Sequence, residues 1–192
     1  MAMLFPDAPA DLPEGFVYYA DVMTEGEEHA LLDGLKALAF GEVRMRGQVA
    51  RRRTIHFGWT YGYETWRVEP GPPIPAFLMG VRSRVARLAG VGPDAMAEVL
   101  VTHYSPGAGI GWHRDAPAFG VVVGVSLLGT CRFRFQQGRG AARRTRAVTL
   151  APRSAYVLDG AARWQWQHAI PPGREERYSV TFRTLRAGGG AA

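Results

Sequence analysis

The chain has 192 residues, 47% hydrophobic and 21% charged, which is typical of a globular protein with one core and excludes a disordered chain. Its longest apolar run, residues 120–129, is too short to cross a bilayer, and its single cysteine, Cys131, excludes an internal disulfide framework. Basic residues outnumber acidic ones by 23 to 17, and all of the basic residues except Lys36 are arginines.

The arginine surplus is compatible with a polyanionic partner or an acidic ligand, because a planar guanidinium matches phosphate and carboxylate groups. Compositional bias explains the surplus equally well. The first residues show no basic segment followed by an apolar one, so no secretory signal is predicted. We therefore expect a cytoplasmic protein that does not span a membrane, and we expect it to be a monomer.

The N-terminal part of the chain is predicted to contain an extended segment followed by a helix. Residues 15–23 are expected to be extended. Thr24 is predicted to be the helix N-cap, with Glu27 completing a capping box, and the helix is expected to run to about Ala39. Its buried face is predicted to consist of Leu31, Leu35 and Leu38.

A hairpin region and a second helix are predicted to follow. Residues 43–63 are basic and aromatic and are assigned to the hairpin region, and the Gly-Pro-Pro-Ile-Pro segment at 71–75 then breaks the chain. Behind it, apolar residues recur at helical spacing: Ile74, Phe77, Leu78, Val81, Val85 and Leu88.

From residue 97 onwards, short β-branched and aromatic runs alternate with turn signals. The predicted strands are 97–104, 120–128, 131–137, 145–150, 154–158, 163–170 and 176–185. Many short strands at this spacing favour a sandwich or jelly roll over a parallel α/β sheet. The predicted class is mainly β with supporting helices (α+β).

One domain is expected over residues 1–186. Helices and the hairpin region occupy about 1–95, the β-rich core occupies 97–185, and the Gly-rich tail at 187–192 is predicted to be flexible.

His113 and Asp115 have a spacing suited to metal binding. In an extended chain the side chains at i and i+2 lie on one face, so these two can converge on one point. An imidazole nitrogen and a carboxylate oxygen together suit a divalent metal such as Fe(II). The motif alone is a weak signal, because it requires only two residues.

His168 is the candidate third ligand, at the end of a predicted strand and just before a turn. Two histidines and one carboxylate on one face of a metal leave three positions open for a chelating cosubstrate and O₂. The alternative is a partly buried strand histidine bonded to the backbone. His103 alternates out of phase with its neighbours and is assigned to the opposite face of its strand.

The last predicted strand carries two arginines in an unusual pattern. Alternation places Arg177, Ser179, Thr181 and Arg183 on one face, and Tyr178, Val180 and Phe182 on a core-facing one. Arginines on an inward face indicate a cavity that holds an anion, and a small dicarboxylate between them would use both guanidinium forks. The alternative is an exposed edge strand with two solvated arginines.

On these residues the chain resembles the AlkB family of Fe(II)- and 2-oxoglutarate-dependent dioxygenases. The resemblance runs through residues 102–115 (THYSPGAGIGWHRD), His168 and residues 177–183 (RYSVTFR), in the family's order. It covers residues 97–185 well and the first 95 residues loosely. It implies a double-stranded β-helix, a form of jelly roll, with the N-terminal helices packed on one sheet and a metal at one mouth.

The resemblance implies a role for each matching residue. The implied Fe(II) ligands and catalytic residues are His113, Asp115 and His168. The implied 2-oxoglutarate contacts are Arg177, Arg183, Tyr104, Thr102 and Ser179. Arg177 matches the arginine that pairs with the distal carboxylate, and Arg183 matches the one near the metal-bound end. Thr102 and Ser179 stand where the family typically has asparagine, so cosubstrate binding is expected with altered hydrogen bonds.

The implied activity is oxidative dealkylation of N-alkylated bases in DNA or RNA, with nucleic acid as the partner. Fe(II), 2-oxoglutarate and O₂ would be required, and succinate, CO₂ and an aldehyde would be released. One alternative is an AlkB-like hydroxylase or demethylase of a protein or small-molecule substrate. A second is a non-catalytic jelly-roll module that only binds a partner.

Candidate substrate contacts lie in residues 51–63, which loosely resemble the family's nucleotide-recognition lid. Arginines there would contact phosphates and aromatic residues would stack on a base. The candidates are Arg51, Arg53, Phe57, Trp59, Tyr61 and Tyr63. The alternative for the aromatic residues is packing within the fold. After Asp115 the chain has Ala-Pro-Ala-Phe, where repair members carry charged or polar residues, so base preference does not carry over.

Overall fold

The computed structural model describes residues 11–45, 48–62, 65 and 67–186, so the predicted flexible tail lies outside the described residues. The N-terminal elements are β1 (Phe16–Tyr19), α1 (Glu25–Lys36), β2 (Gly41–Met45), β3 (Gln48–Gly62) and β4 (Arg67–Pro70). A 3-10 turn (Ala76–Leu78) leads into α2 (Met79–Leu88), and another (Pro93–Ala95) leads into β5 (Met96–Tyr104).

The C-terminal half consists mostly of strands. Its elements are β6 (Ile110–His113), β7 (Phe119–Leu127), β8 (Cys131–Gln137), a 3-10 turn (Gly140–Ala142), β9 (Arg144–Leu150), β10 (Ser154–Leu158), α3 (Gly160–Trp164), β11 (Gln167–Ile170) and β12 (Arg177–Leu185). No helix in the described ranges is long and apolar enough to cross a membrane.

The strands form two antiparallel sheets. The large sheet has the order β1-β10-β7-β12-β5-β3-β2, with β4 paired to β3, and the small sheet has the order β6-β11-β8-β9. From β5 onwards the chain alternates between the two sheets, except that β8 and β9 form a hairpin within the small sheet, and this connectivity is that of a jelly roll. The predicted class, mainly β with helices packed on one sheet, is confirmed.

The apolar side chains form two main clusters. One cluster lies between the sheets and includes Phe133 from the small sheet and Tyr156 from the large one. The other lies on the outer face of the large sheet, where α1 and α2 cover it and bury Leu35 and Val85 completely. One apolar cluster therefore supports the large sheet from its outer face. The space between the two sheets holds polar side chains in addition to the other cluster.

Three predicted boundaries differ in the structure. The first helix ends at Lys36, and Leu38 packs against the core beyond it. Phe77 lies before α2 and is 38% exposed. The predicted strand at 163–170 is divided into α3 and β11. A helix begins there because the Asp159 side chain accepts a hydrogen bond from the backbone N–H of Gly160, which makes Asp159 an N-cap.

The predicted hairpin region belongs largely to the large sheet. β3 pairs with β5 from Arg52 opposite Tyr104 to Gly58 opposite Glu98. At Gly58 the backbone has a φ of +76°, and a Cβ there would lie 2.1 Å from the carbonyl oxygen of Ala97. Glycine is therefore required at this position, and beyond it β3 pairs with β4 instead.

The predicted capping box is present at the start of α1. The hydroxyl oxygen of Thr24 accepts a hydrogen bond from the Glu27 backbone N–H (3.2 Å), and a Glu27 carboxylate oxygen accepts one from the Thr24 N–H (2.7 Å). Glu27 also pairs with Arg84 of α2, with 2.5 Å between Nη2 and Oε1. Hydrogen bonds from Arg84 and Thr24 lower the pKa of Glu27 from 4.5 to about 2.

We expect Glu27→Gln to lower the free energy of unfolding at neutral pH by about 1 kcal/mol, because it removes the ion pair with Arg84 and the negative charge of the capping side chain. The folded pKa lies below the unfolded one, so this contribution is complete above pH 4.5 and is lost as the pH falls through about 2. Urea denaturation of both proteins from pH 7 to pH 2 should show the difference closing. A difference that stays constant would contradict the assigned role of the charge.

Candidate metal and cosubstrate site

A cavity of about 180 Å³ lies between the two sheets. Its polar lining comprises Arg52, Thr54, His56, Thr102, Tyr104, His113, Asp115, Tyr156, His168, Ser179, Thr181 and Arg183. On β3, β5 and β12 these residues occupy alternate positions, so each strand directs one of its two faces into the cavity. Segments that are far apart in the sequence therefore meet around one space.

Two histidines and an aspartate lie together on the wall of this cavity. β6 and β11 are neighbours, and His113 is paired directly with His168. Their ring centroids are 4.3 Å apart. Asp115 lies two residues after the end of β6, and its Oδ2 is 3.4 Å from Nε2 of His168. The structure thus places the three predicted metal ligands next to one another on the wall of one cavity.

The protonation states of these side chains suit metal binding. Nδ1 of His113 lies 2.8 Å from the carbonyl oxygen of Gly111, and because a carbonyl only accepts, Nδ1 carries the proton and Nε2 the lone pair. Burial lowers the pKa of His168 to about 3 and also lowers the pKa of His113. Both imidazoles are therefore neutral at neutral pH, as metal ligands must be.

Asp115 is the ionised member of the set. Burial alone would raise its pKa, but the Arg183 guanidinium, with smaller contributions from His168 and His113, brings the pKa of Asp115 well below its usual range. Its Oδ1 accepts hydrogen bonds from Arg183, whereas Oδ2 is buried and accepts none. An unpaired buried carboxylate oxygen is costly, and a cation beside it would remove that cost.

This donor set fits Fe(II), since two imidazoles and one carboxylate form the facial arrangement that iron oxygenases use. The close contacts among these three side chains are pairwise, between His113 and His168 and between His168 and Asp115. No group of three or more His, Cys, Asp or Glu side chains in the described part of the chain is positioned to hold a metal ion as it stands. The assignment of His113, Asp115 and His168 as ligands therefore stays a prediction.

Arg183 joins the aspartate to a second buried carboxylate. Its Nε and Nη2 donate to Oδ1 of Asp115 at 2.9 and 2.5 Å, and its Nη1 donates to Oε2 of Glu98 at 2.6 Å. Oε1 of Glu98 lies 3.0 Å from Nδ1 of His56, which lines the cavity. Asp115 and Glu98 thus accept hydrogen bonds from all three nitrogens of Arg183, and the predicted contact of Arg183 with the metal-bound end of 2-oxoglutarate stays a prediction.

Arg177 differs from Arg183, because two of its guanidinium nitrogens have no hydrogen-bond partner. Its Nε donates to the Ser126 hydroxyl oxygen at 2.9 Å, but its Nη1 and Nη2 are buried and have no hydrogen-bond partner. The guanidinium carbon lies 5.2 Å from the ring centroid of Tyr104, which lines the cavity. A buried guanidinium with two unused nitrogens fits the carboxylate of a small acid. The predicted pairing with 2-oxoglutarate is compatible with this geometry.

The remaining predicted cosubstrate contacts face the same cavity. Thr102 on β5 is paired directly with Ser179 on β12, and both side chains are buried. Burial raises the pKa of Tyr104, so its hydroxyl stays protonated and can donate a hydrogen bond to a carboxylate. Their contact with 2-oxoglutarate stays a prediction.

The predicted substrate contacts on the first half of β3 require correction. Arg51 and Arg53 are exposed and are absent from the cavity lining, which contains Arg52 instead. Phe57 is 6% exposed and packs in the cluster under the helices, so its predicted role in stacking on a base is wrong. The cause is register: Arg52 lies opposite Tyr104, so the even-numbered residues of this segment face the cavity.

Beyond Gly58 the aromatic residues have different surroundings. Trp59 is 36% exposed. Tyr61 is buried with Ala116 and Phe119, immediately after Asp115 in the sequence. Tyr63 lies outside the described residues. Of the predicted stacking residues, Trp59 therefore keeps an exposed ring, and Tyr61 contributes to the apolar boundary next to the aspartate.

Several residues that shape the site were not singled out in the sequence. His56 lines the cavity, and Glu98 lies on the same face of β5 as Thr102 and Tyr104, so pairing β3 with β5 would have found both. Arg163 on α3 is 2% exposed and donates to the carbonyl oxygens of Ala116, Phe119 and Gly120. It thereby holds the loop that follows Asp115.

Comparisons with known proteins agree with this geometry. The sequence model of the 2OG-Fe(II) oxygenase superfamily matches residues 15–185. The solved structure of OsALKBH1 superimposes with a TM-score of 0.64 at 15% identity, covering 90% of this chain and 99% of that one. A likeness at this identity establishes a common fold.

Two curated relatives match most of the chain. The tRNA (carboxymethyluridine(34)-5-O)-methyltransferase ALKBH8 of Mus musculus is 29% identical over 170 residues, which is 84% of this chain and 25% of the relative. The alkylated DNA repair protein ALKBH8 homolog of Arabidopsis thaliana is 26% identical over 189 residues, which is 86% of this chain and 53% of the relative. The chain thus spans about a quarter to a half of the length of these relatives.

The ion pair between Glu98 and Arg183 leads to a prediction about stability, for which Glu176 provides a matched control. Glu98 is 1% exposed, whereas Glu176 pairs with His103 at 2.8 Å and is 46% exposed. In Glu98→Gln the amide oxygen can still accept from Nη1 of Arg183, but the negative charge that offsets the buried guanidinium is lost. We expect a loss of about 2 kcal/mol for Glu98→Gln and less than about 1 kcal/mol for Glu176→Gln, measured by urea denaturation. Equal losses would contradict the bridging role.

Proposed function

Because the chain belongs to the 2OG-Fe(II) oxygenase superfamily, as an AlkB-type member, we propose that it is an Fe(II)- and 2-oxoglutarate-dependent dioxygenase that dealkylates N-alkylated bases in nucleic acid. The cofactors of the superfamily are Fe(II), 2-oxoglutarate and O₂. The products would be succinate, CO₂, an aldehyde and the dealkylated base. The predicted membership of the AlkB family is confirmed by the matches above.

One observation carries the proposal. The site combines a buried carboxylate oxygen without a hydrogen-bond partner, on Asp115, with two guanidinium nitrogens in the same condition, on Arg177. The first requires a cation and the second requires an anion. A metal together with a dicarboxylate that chelates it would supply both charges.

Each residue has a distinct task in this scheme. The bound iron, with 2-oxoglutarate and O₂, supplies the oxidant that inserts an oxygen atom into a C–H bond of the substrate. Arg183 fixes Oδ1 of Asp115 and leaves Oδ2 to face the metal. Gly111 fixes the tautomer of His113. Arg177 would bind the distal carboxylate of the acid and so fix its orientation.

Support for a nucleic-acid substrate comes from charge and from the wall of the cavity formed by β3. The formal net charge is +6, which favours association with a polyanion. Arg52, Thr54 and His56 line the cavity on that side and offer hydrogen-bonding groups to a base edge or a phosphate. The names of the two curated relatives refer to tRNA and to alkylated DNA.

A second candidate is an AlkB-like oxygenase that acts on a protein side chain or a small molecule. It is favoured by the segment after Asp115, because Ala116 and Phe119 form an apolar cluster there with Tyr61. An apolar boundary next to the metal suits an aliphatic or aromatic group as well as it suits a base.

The deciding experiment measures two products. With Fe(II), 2-oxoglutarate and O₂, we expect succinate from the purified protein, together with formaldehyde when oligonucleotides carrying N-methylated bases are added. His168→Ala should abolish both products, because it removes one of the two imidazoles. Succinate without formaldehyde from any methylated DNA or RNA would support the second candidate. Absence of succinate would contradict the proposed enzyme class.

Arg177→Ala tests the cosubstrate assignment. Loss of a charge-assisted, two-nitrogen contact should raise the KM for 2-oxoglutarate about 30- to 100-fold in the succinate assay. Arg177→Lys should be intermediate, since it restores the charge without the fork. The exposed Arg87 on α2 provides the control, and Arg87→Ala should leave the KM unchanged. An unchanged KM in Arg177→Ala would refute the assignment.

A further inference from the structure

The outer face of the small sheet, which points away from the cavity, has an uneven surface. Trp112 on β6 alternates with His113 and therefore lies on this face. On the next strands, Ala169, Arg134 and Ala147 lie opposite one another in register. Large and small side chains therefore alternate across the sheet, and the two alanines leave depressions on either side of Arg134.

Two depressions of about 290 and 460 Å³ result, and they share Arg134 and Pro171 as lining residues. The guanidinium carbon of Arg134 lies 5.2 Å from the Trp112 ring centroid. Together the two depressions form one continuous surface, lined among others by Trp112, Arg132, Arg134 and Arg146, which is called the outer groove below.

The charge of the outer groove is entirely positive. Its lining includes no carboxylate. Arg146 pairs with Asp11 at 2.9 Å, but Arg132 and Arg134 are exposed, and neither forms an ion pair within the described residues. Two unpaired arginines in a concave surface, next to an aromatic ring, match a chain of phosphates and bases.

The outer groove also adjoins the proposed active site. Ile110 and Ile170 line the cavity between the sheets, and the same two residues line the outer groove. They are paired directly in β6 and β11. Ile110 begins β6 and Ile170 ends β11, so a nucleic-acid strand that passes around this end of the small sheet would reach the arginines.

We propose that the outer groove binds the single-stranded nucleic-acid segment adjacent to the target base. Arg132 and Arg134 contact its phosphates, and Trp112 stacks on one of its bases. This inference rests on the proposed function, because it assigns the path of the substrate beyond the cavity. An acidic peptide would also satisfy the arginines, but it would not require the tryptophan ring.

The test measures the anisotropy of fluorescein-labelled oligothymidylate and oligouridylate with the full chain, over about 50 to 200 mM salt. One double variant is Arg132→Ala/Arg134→Ala. The control double variant, Lys36→Ala/Arg87→Ala, removes the same number of positive charges from exposed positions on α1 and α2. Trp112→Ala is measured separately, and a labelled oligoglutamate serves as the competing acidic peptide.

The double variant in the outer groove should bind about tenfold more weakly, and its dependence of log K on log salt should be shallower by about 1.4, as expected for two lost contacts to single strands. Trp112→Ala should bind about tenfold more weakly with an unchanged salt slope, since stacking carries no charge. The control double variant should stay close to the wild type in both respects.

Four results would overturn the inference: no measurable oligonucleotide binding by the wild type, normal binding by the groove variants, equal weakening in both double variants, or tighter binding of oligoglutamate than of either oligonucleotide. Succinate formation from 2-oxoglutarate alone should be normal in every variant, because none of these residues contacts the cavity. If the groove variants bind normally while methylated oligonucleotides still release formaldehyde, the groove is refuted and the proposed function stands. If binding depends on the groove but no formaldehyde forms, the dealkylase proposal fails and the groove stands.

Discussion

The constraint on which the site depends is the buried guanidinium of Arg183, held between the carboxylates of Glu98 and Asp115. The three groups come from β12, from β5 and from the segment after β6, so the bridge ties the large sheet to the chain leaving the small one. One cation between two anions leaves a negative excess in a buried place. Such a cluster is tolerated when its geometry is good and when a further positive charge is bound nearby.

The two arginines of β12 have opposite roles, although both face inward. Arg183 has its nitrogens occupied by two carboxylates, whereas Arg177 keeps two nitrogens without partners. In the proposed scheme the first therefore organises the carboxylate that would bind the metal, and the second would bind the anionic cosubstrate. Alternation along one strand places Arg183 in the cavity lining and Arg177 beside Tyr104, which also lines the cavity.

Local signals in the sequence predicted a large part of the molecule, and non-local pairing explains most of what they missed. The capping box at Thr24 and the alternation of β12 depend on neighbouring residues, and both were found. The face of β3 depends on its register with β5, so Arg51 and Arg53 were chosen although Arg52 faces the cavity. Glu98 was overlooked for the same reason, since its importance arises only when Arg183 is placed beside it.

Gly58 separates the two parts of β3. On one side lie the residues paired with β5, which form a wall of the cavity, and on the other lie Trp59 and Tyr61, which are paired with β4. Because β3 changes its pairing partner at Gly58, the two parts of the strand belong to different strand pairs. Changes in the β3–β4 ribbon can therefore alter the apolar boundary that Tyr61 forms, and so which molecules the protein admits, while the wall formed by Arg52, Thr54 and His56 stays the same.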